Sequence, residues 1–348
     1  MKVIQVVKRY GICGGMEEYA YRLSYELKKA GIDISVVCEQ KVNDPLNTDF
    51  PIIELGETRK KPRWWSHLQF AKRLREWVQD QGMSDALIHS HERVDCHHIT
   101  TIHSTLFNFP RKLALPSLRS FMNQRIERKE ILSQAVKAIV PVSEIISQQI
   151  KEKYPRSGNF LNRSIHPGVA PINLNRNTFN PSIPVIGFMG KEWKRKGLPK
   201  VIEIWRELRK ETPLIKLCLA GFDKVEKIGL EHYEKAHVEI LGYVKNKESF
   251  YQKIDLLLHP AKLEAFGMIV PEALSLGIPV LSSKETGASS INPELQNVIS
   301  CLEPVNTWTK HTRDTLSKLS DGIRPRYSPQ NWAEVANSYV KIYEELNR

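Results

Sequence analysis

Two glutamates, Glu264 and Glu272, stand eight positions apart where the sequence predicts a strand, a loop and a helix in succession. The apolar run 254–258 predicts a buried strand, Glu264 follows it in the loop, and the helix is predicted to begin near Val270. Free N–H groups at a helix N-terminus favour a diphosphate, and carboxylates accept hydrogen bonds from sugar hydroxyls. The segment therefore predicts a site for a sugar joined to a diphosphate. The alternative is an ordinary strand–loop–helix whose glutamates have no ligand.

A pair of glycines, Gly14 and Gly15, provides a second place where the backbone can approach a ligand closely. The pair follows a predicted strand, Val3–Val7, and precedes a predicted helix, Met16–Ala30. A helix that begins directly after glycines suits phosphate binding, but the spacing is not GxGxxG, which speaks against a dinucleotide oxidoreductase. A tight turn is the alternative.

Three cations, Lys191, Arg195 and Lys196, follow the predicted strand Val185–Met189. Sugar transfer from a nucleotide diphosphate sugar leaves negative charge on the departing diphosphate, and fixed cations beside it stabilise the transition state. The loop therefore predicts a diphosphate clamp, with a solvated basic loop as the alternative.

The elements that must position these groups alternate between strand and helix along the whole chain, which predicts parallel sheets with helices on both faces. The chain is predicted to contain an N-terminal Rossmann-like domain (1–170), a Pro- and Asn-rich linker (171–184) and a second Rossmann-like domain (185–327). The final segment, 328–348, contains an amphipathic helix. Ligands of such sheets bind at the carboxyl ends of the strands.

Composition places the protein among soluble globular chains, with 348 residues, 41% hydrophobic and 26% charged. Five scattered cysteines without a CxxC pair predict reduced thiols in a cytosolic protein. No apolar run reaches the roughly 18–20 residues that span a membrane, and the first strand starts too early to leave room for a signal peptide. We therefore expect a cytoplasmic protein.

The net charge of +12 predicts an anionic partner, and the charge is uneven. The segment Arg59–Arg75 holds seven Lys or Arg residues, no Asp or Glu, and the apolar residues Trp64, Trp65, Phe70 and Leu74 among them. This mixture predicts association with an anionic membrane surface, peripheral on the inner face of the plasma membrane. The alternative is a surface helix whose apolar side packs on the N-terminal domain. No nucleic-acid recognition motif is present, so we expect no nucleic-acid partner.

The run from His259 to Val280, with its two glutamates at E-x7-E spacing, closely resembles the donor-site motif of retaining GT-B glycosyltransferases of family 4. Gly14-Gly15-Met16-Glu17 resembles the GG-x-E loop of that family, and Arg195-Lys196-Gly197 its diphosphate-binding loop. The resemblance covers nearly the whole chain and is strongest over 185–285. It implies an α/β GT-B fold, with two Rossmann-like domains facing a central cleft and a C-terminal helix crossing back to the N-terminal domain.

The resemblance also implies residue roles. The catalytic residues would be His103, Glu264, Arg195 and Lys196. Because Lys191 stands where the family usually has arginine, Arg195 would supply the guanidinium. Acceptor binding falls to Glu17, His91 and Arg93. The donor-binding residues would be Gly14, Gly15, Lys191, Tyr243, Val244, Phe266, Gly267, Met268, Ile269 and Glu272.

We therefore expect a retaining hexosyltransferase that uses a nucleotide diphosphate sugar, most simply a UDP-sugar, and a cell-envelope glycan such as the lipopolysaccharide core. No cofactor and no metal are expected, because cations and a helix terminus can neutralise the diphosphate. The histidines crowded between positions 89 and 103 have no diagnostic metal spacing. A nucleotide-sugar epimerase or a sugar phosphorylase on the same fold remains an alternative, and a basic nucleic-acid-binding protein is a more distant one.

Overall fold

A computed structural model describes residues 1–82, 86–107, 117–172, 174, 179–222, 228, 230–244 and 246–348, without the side chains of 232 and 233. The chain divides into two compact units. The N-terminal unit comprises Met1–Gly168 and Gln330–Arg348, and the C-terminal unit comprises Val169–Pro329. The final helix therefore belongs to the first unit and not to the second.

The N-terminal half of the chain alternates strands and helices around apolar segments that are buried on both sheet faces. Its elements are β1 (Lys2–Val6), β2 (Arg9–Gly11), α1 (Gly15–Lys29), β3 (Asp33–Cys38), β4 (Gln40–Asn43), β5 (Ile52–Glu54), α2 (Arg63–Asp80), β6 (Leu87–Ser90), β7 (Ile99–Ile102), α3 (Leu118–Leu132), β8 (Ala138–Pro141) and α4 (Glu144–Lys153).

The C-terminal half repeats the pattern and ends with the helix that joins the N-terminal unit. Its elements are β9 (Val185–Met189), α5 (Leu198–Arg209), β10 (Lys216–Ala220), β11 (Val238–Ile240), α6 (Glu248–Tyr251), β12 (Leu256–His259), α7 (Ile269–Ser275), β13 (Val280–Ser283), β14 (Asn297–Ile299), α8 (Val305–Ser320) and α9 (Trp332–Leu346).

Each unit is built on one six-stranded sheet whose neighbouring strands are all parallel. The strand order is β5-β3-β1-β6-β7-β8 in the N-terminal unit and β11-β10-β9-β12-β13-β14 in the C-terminal unit. A separate two-stranded sheet pairs β2 with β4, and the sequence did not predict it. The predicted α/β class with two Rossmann-like units is confirmed, and most predicted element boundaries lie within two residues of those observed.

Local sequence explains several of these boundaries. Ser143 caps α4, because its hydroxyl accepts a hydrogen bond from the N–H of Ile146 at 3.4 Å. Gly197 precedes α5 in the left-handed region, with a φ of +89°, and a Cβ there would lie 2.1 Å from the Pro260 carbonyl oxygen. Only glycine fits this close approach, which holds the cation-bearing loop against the end of β12.

Helix α9 packs on α1 and contributes two fully buried tyrosines, Tyr339 and Tyr343, to the N-terminal unit. An Asn331–Glu334 capping box begins the helix. Gly168 lies against its first turn, where a Cβ would stand 2.8 Å from the Trp332 backbone nitrogen. The expected return of the C-terminal helix to the N-terminal domain is confirmed.

The apolar side of α2 faces the core of the N-terminal unit, as the alternative interpretation of Arg59–Arg75 expected. Phe70, Ala71 and Leu74 are buried in a cluster with Ile4 and Val37. The sheet covers these three residues, and association of the segment with a membrane stays a prediction. The start of the segment stays on the surface, where the Trp65 side chain is 42% exposed. Within the described ranges, no helix is both long enough and apolar enough to cross a bilayer.

Candidate active site

The loops after β9 and β12 bring the predicted catalytic residues of the C-terminal unit together. These strands are neighbours in the sheet, so the segments that follow them leave from the same edge. Arg195 Nη1 donates to Glu264 Oε2 at 3.2 Å, and Lys196 Nζ stands 3.4 Å from the same oxygen. Two cations and one carboxylate therefore form a compact group, called here the donor cluster (Arg195, Lys196 and Glu264).

Glu264 is fixed by backbone contacts as well as by charge. Its N–H donates to the Glu285 carbonyl at 2.9 Å, and its carbonyl accepts from the Gly287 N–H at 3.0 Å. Both side-chain contacts go to Oε2, and within the described chain no partner contacts Oε1. One carboxylate oxygen is thus held by cations while the other can accept hydrogen bonds.

The Arg195 guanidinium is more fully occupied than the Lys196 ammonium. Arg195 Nε and Nη2 both donate to Glu192, at 2.9 and 2.6 Å, and Nη1 also contacts the Leu263 carbonyl. The carboxylate of Glu192 is largely exposed, so its bond with Arg195 is worth only about 0–1 kcal/mol. An anion could therefore displace Glu192 at little cost, whereas Lys196 has the Glu264 carboxylate as its one ion-pair partner within the described residues.

His259, at the end of β12, is a residue of this site that the sequence analysis did not assign. It is fully buried, and in the described structure neither ring nitrogen has a hydrogen-bond partner. Burial first, and then the charges of Lys196 and Arg195, lower its pKa to about 3, so the ring is neutral. Gly267, at φ +92°, turns the chain so that a Cβ there would lie 3.6 Å from His259 Nε2. The unpartnered ring thus adjoins the donor cluster.

Glu272 lies in the first turn of α7, as predicted, but its partners come from elsewhere in the unit. Its Oε1 accepts from Lys247 Nζ at 2.5 Å, and its Oε2 accepts from the Tyr251 hydroxyl at 2.6 Å. Both contacts come from the segment around α6 and were not predicted, because nothing in the local sequence joins 247–251 to 272. The side chain is buried and orientated by two donors.

The remaining predicted donor-binding residues lie in loops at strand ends. Lys191 is exposed in the turn after β9, and Tyr243 is 66% exposed in the loop after β11 next to a half-buried Val244. Phe266 and Ile269 are buried on either side of Gly267 and Met268, which lead into the seven-residue α7. No contact of the described residues joins Lys191, Tyr243 or Val244 to the donor cluster.

In the N-terminal unit, His91 and His103 follow the neighbouring strands β6 and β7 and therefore meet. His91 Nδ1 lies 2.9 Å from His103 Nε2, and His91 Nε2 lies 2.7 Å from Gln5 Oε1. The Gln5 amide nitrogen donates to the Tyr343 hydroxyl, so its oxygen is left to accept from His91 Nε2. His91 Nδ1 is then the acceptor for His103 Nε2–H, which leaves His103 Nδ1 as an acceptor.

This chain of hydrogen bonds continues through the core to α9. His89 contacts Gln5 and Tyr343 through Nδ1 and Thr101 through Nε2, and Thr101 is linked to Tyr339 at 2.7 Å. Burial lowers the pKa of His89 and His91 well below the ordinary value and that of His103 to about 3. We call these connected side chains the polar core: Gln5, His89, His91, Thr101, His103, Tyr339 and Tyr343.

The glycine pair stands at the start of α1, as predicted, and Glu17 turns back towards it. Gly14 is the N-cap of α1, and a Cβ there would lie 2.3 Å from Glu17 Oε2, whereas Gly15 has open space. The Glu17 carboxylate is buried and bonded to Arg9. A side chain at position 14 would therefore require the Glu17 carboxylate, the end of a flexible side chain, to move.

Arg93, predicted to bind the acceptor, is engaged inside the unit. Its guanidinium lies 3.5 Å from Glu130, donates to Ser104 at 2.9 Å and stacks on the Phe107 ring at 4.1 Å. Burial raises the pKa of Glu130 to about 7, and the charge of Arg93 opposes that rise. Across the described parts of the chain, no three His, Cys, Asp or Glu side chains are grouped so that they could hold a metal ion.

Family models match both halves of the chain. A model described as Glycosyltransferase Family 4 matches residues 13–170, and a model described as Glycosyl transferases group 1 matches residues 171–316. Two units of this kind, each built on a parallel six-stranded sheet, define the GT-B architecture. The chain belongs to the glycosyltransferases, with a family 4 domain followed by a group 1 domain.

Individual relatives agree with this assignment. An uncharacterized glycosyltransferase of Methanocaldococcus jannaschii is 25% identical over 375 aligned residues, covering 100% of this chain and 99% of the relative. WaaG, a glycosyltransferase involved in lipopolysaccharide biosynthesis, matches with a TM-score of 0.75 at 18% identity, over 97% of this chain and 95% of its own. Anabaena HepE, solved with UDP and glucose, gives 0.67 at 17% identity over 99% of both chains.

Proposed function

We propose that this glycosyltransferase moves a hexose from a nucleotide diphosphate sugar, with UDP as the nucleotide, to a cell-envelope glycan, and that it retains the anomeric configuration. The donor cluster is the observation that carries the proposal. It combines two cations with a carboxylate that keeps one free oxygen, at the carboxyl ends of adjacent parallel strands. A sugar diphosphate needs both kinds of group.

The cations supply the catalytic step. As the bond between the sugar and the diphosphate breaks, negative charge collects on the departing phosphate oxygens. Lys196 and Arg195 are already fixed beside this position by Glu264, so little reorganisation is needed when the charge develops. Lys196 takes the larger part, because Arg195 must first release the exposed Glu192.

Glu264 and His259 orient the donor. Glu264 Oε1 accepts hydrogen bonds from hydroxyls of the transferred sugar while Oε2 stays with the cations. The neutral His259 ring donates one N–H to the diphosphate or to the sugar, which supplies the partner that the ring otherwise lacks. Glu272, fixed by Lys247 and Tyr251, accepts from the ribose hydroxyls.

Retention follows from attack on the same face as the leaving group, with the departing phosphate taking the acceptor proton. A glutamate bonded to two cations is a weak nucleophile, so Glu264 suits the orienting role better than covalent catalysis. No metal or other cofactor is required in this scheme, since Lys196 and Arg195 neutralise the diphosphate. HepE, which was solved with UDP and glucose, supports UDP as the nucleotide.

The N-terminal unit would receive the acceptor. We assign His103 to the transferred sugar and Glu17 to acceptor hydroxyls; His91 orients His103, because both its ring nitrogens are already used. Arg93 would contact the acceptor by exchanging its contact with Ser104. The involvement of WaaG in lipopolysaccharide biosynthesis supports an envelope glycan as the acceptor. Residues around Arg59 and Trp65 would hold the protein at the inner face of the plasma membrane, as a cytoplasmic, peripheral enzyme.

Thermal unfolding in the presence of UDP, GDP, ADP and their sugars tests the donor. We expect UDP and UDP-hexoses to stabilise the protein and this stabilisation to be lost in Glu272→Ala. We also expect the anomeric configuration of a transferred hexose, measured by NMR, to match that of the donor. Interconversion of the hexose without an acceptor would favour an epimerase, and sugar-1-phosphate formation would favour a phosphorylase.

The membrane role is tested by the double variant Arg59→Glu with Trp65→Ala, which should abolish salt-sensitive binding to anionic vesicles.

A further inference from the structure

A cavity of about 1130 Å³ lies within the N-terminal unit. It is bounded by the start of α1, the start of α2 and the segments that follow β1 and β6. Its volume slightly exceeds that of most pockets that hold small molecules, about 300–1,000 Å³. Neither the donor site nor the polar core uses it, although Glu17 contributes to its wall.

The floor of the cavity holds two polar side chains, His67 and Glu92, here called the floor pair. Both are more than nine-tenths buried, and His67 Nδ1 lacks a hydrogen-bond partner among the described residues. His67 Nδ1 and Glu92 Oε2 are 3.7 Å apart, too far for a direct hydrogen bond. Burial lowers the pKa of His67 to about 3 and raises that of Glu92 to about 7. A ligand hydroxyl between them would satisfy both groups.

Positive charge lines the cavity in excess. Lys8 is paired with Glu39 at 3.1 Å, Arg9 with Glu17, and Lys60 with Glu57 at 3.5 Å. Three further cations, Lys61, Arg63 and Arg119, are called the rim cations, and no carboxylate of the described chain lies within ion-pair distance of any of them. An unbalanced charge over a partly enclosed site favours an anionic ligand.

An aromatic wall stands beside these charges. Trp64 lines the cavity, and the ring of Trp65 packs perpendicular to it, with centroids 5.7 Å apart. A tryptophan face offers a broad apolar surface suited to the carbon face of a sugar ring. The cavity therefore joins an apolar wall, hydroxyl-binding groups and cations in one space.

We propose that this cavity binds the acceptor, a saccharide with a negatively charged substituent, whose charge is held by the rim cations and one of whose hydroxyls bridges the floor pair. The proposal rests on the proposed glycosyltransferase function. It places the anionic group of the acceptor against the start of α2, and not against Arg93, whose guanidinium is already held by Glu130 and Ser104. A flat lipid surface could reach the rim cations but not the buried floor pair.

Saturation-transfer NMR with the full-length protein tests the proposal, using glucose 6-phosphate, glucuronate, glucose and inorganic phosphate as probes. We expect glucose 6-phosphate or glucuronate, or both, to bind at least tenfold more tightly than glucose. Tighter binding of glucose 6-phosphate would identify the anionic group as a phosphate, and tighter binding of glucuronate would identify it as a carboxylate. Inorganic phosphate should bind more weakly than glucose 6-phosphate. Equal binding of phosphate and glucose 6-phosphate would overturn the saccharide part of the proposal.

Variants separate the floor from the rim. Arg63→Ala should weaken binding of the anionic sugar about tenfold or more, because a hydrogen-bonded charge is lost. His67→Phe, which keeps a ring in place, should weaken it several-fold. Arg156→Ala changes an exposed arginine of the same unit outside the cavity and should have no effect. If Arg63→Ala and His67→Phe both bind like the unchanged protein, the cavity is not the binding site.

Donor binding separates this proposal from the proposed function. Arg63→Ala should leave stabilisation by UDP unchanged, and Glu272→Ala should lose that stabilisation yet still bind glucose 6-phosphate. Loss of UDP binding in Arg63→Ala, with folding intact by circular dichroism, would show that the cavity belongs to the donor site and would overturn the assignment to the acceptor. If the protein binds the anionic sugar normally but is stabilised by none of the nucleotides, only the donor assignment is rejected.

Discussion

The two units of this protein have the same sheet architecture but handle polar groups in opposite ways. In the C-terminal unit, Glu264 is held by two cations and Glu272 by one, and all three cations come from segments outside the helices and strands. In the N-terminal unit, histidines are buried in the interior and kept neutral by desolvation. One unit concentrates charge at the edge of its sheet, and the other runs a network of neutral hydrogen bonds through its core. Similar topology therefore does not dictate similar electrostatics.

This difference predicts where substitutions act. Removing a cation from the C-terminal unit should affect chemistry much more than folding, because the group lies near the surface and its partner can be solvated. Removing a member of the polar core should affect folding first, because its neighbours cannot reach water.

The largest expected effect is on catalysis, in Lys196→Met. The substitution keeps the hydrocarbon stem that lies over Gly190 and removes the charge. We expect sugar transfer to lose about 10²–10³ in kcat/KM, as for loss of one fixed group that stabilises a developing anion. Steady-state rates with a UDP-hexose measure this loss, and urea unfolding should be nearly unchanged.

Lys194→Met is the matched control, since Lys194 is an exposed lysine of the same loop and stands over the Trp193 ring. It should keep the rate within a few-fold. If Lys196→Met lowered the free energy of unfolding by as much as it raised the activation free energy of transfer, the expectation that cations of the C-terminal unit act mainly on chemistry would be wrong at this residue.

A smaller effect, on stability, is expected for Gln5→Met in the polar core. Methionine fills the space but leaves His91, His89 and Tyr343 without their common partner. The free energy of unfolding should fall by about 2–4 kcal/mol, because buried polar groups lose hydrogen bonds. Urea titration followed by circular dichroism measures this change.

Gln148→Met provides the comparison for Gln5→Met, because Gln148 is exposed and bonds only to Glu152 in the described structure. It should change stability by less than about 0.5 kcal/mol. An equally small change for Gln5→Met would mean that the polar core does not stabilise the N-terminal unit.

The smallest effect is a difference in acid sensitivity between the units below pH 6.5. A buried histidine with a lowered pKa stays neutral in the folded state, while the unfolded state gains a proton, so stability falls as pH drops. Glu92 and Glu130 act oppositely, because their pKa is raised to about 7 and the folded state gains protons first. The histidines outnumber them: His67, His89, His91, His97 and His103.

Hydrogen exchange measured by mass spectrometry between pH 7.0 and 5.5, corrected for intrinsic rates, distinguishes the units. Protection of β1, β6 and β7 should fall relative to that of β9 and β12, since within the described C-terminal unit only His259 has a comparable lowering of its pKa. Equal loss of protection in both sheets would contradict this expectation.

The sequence was most informative where function is local. Glu264, Gly267 and Glu272 lie within nine residues, so one strand–loop–helix pattern was enough to predict how they are presented. Their partners could not be predicted in the same way. Lys247 and Tyr251 reach Glu272 only after α6 packs beside α7, and a single sequence contains no sign of that contact.

Buried polar residues show the second limit. His259 ends an apolar strand and reads as part of the core, and only its unpartnered nitrogens distinguish it. Gln5 interrupts the run Val3–Val7, which is a visible signal, but its partners are 84, 86 and 338 positions away. His67 and Glu92 likewise meet only when α2 covers the sheet. The alternation of elements predicted the fold because it depends on short-range periodicity, whereas these contacts depend on tertiary packing.

The hydrogen bond from Gln5 to Tyr343 also bears on biosynthesis. Because the two residues are 338 positions apart, the contact between β1 and α9 cannot form until almost the whole chain has been translated. Until then, the face of α1 that α9 covers and the donors of the polar core stay open to solvent. The C-terminal unit, continuous in sequence, can fold during that interval. On the ribosome, the half made first is therefore the half that is finished last.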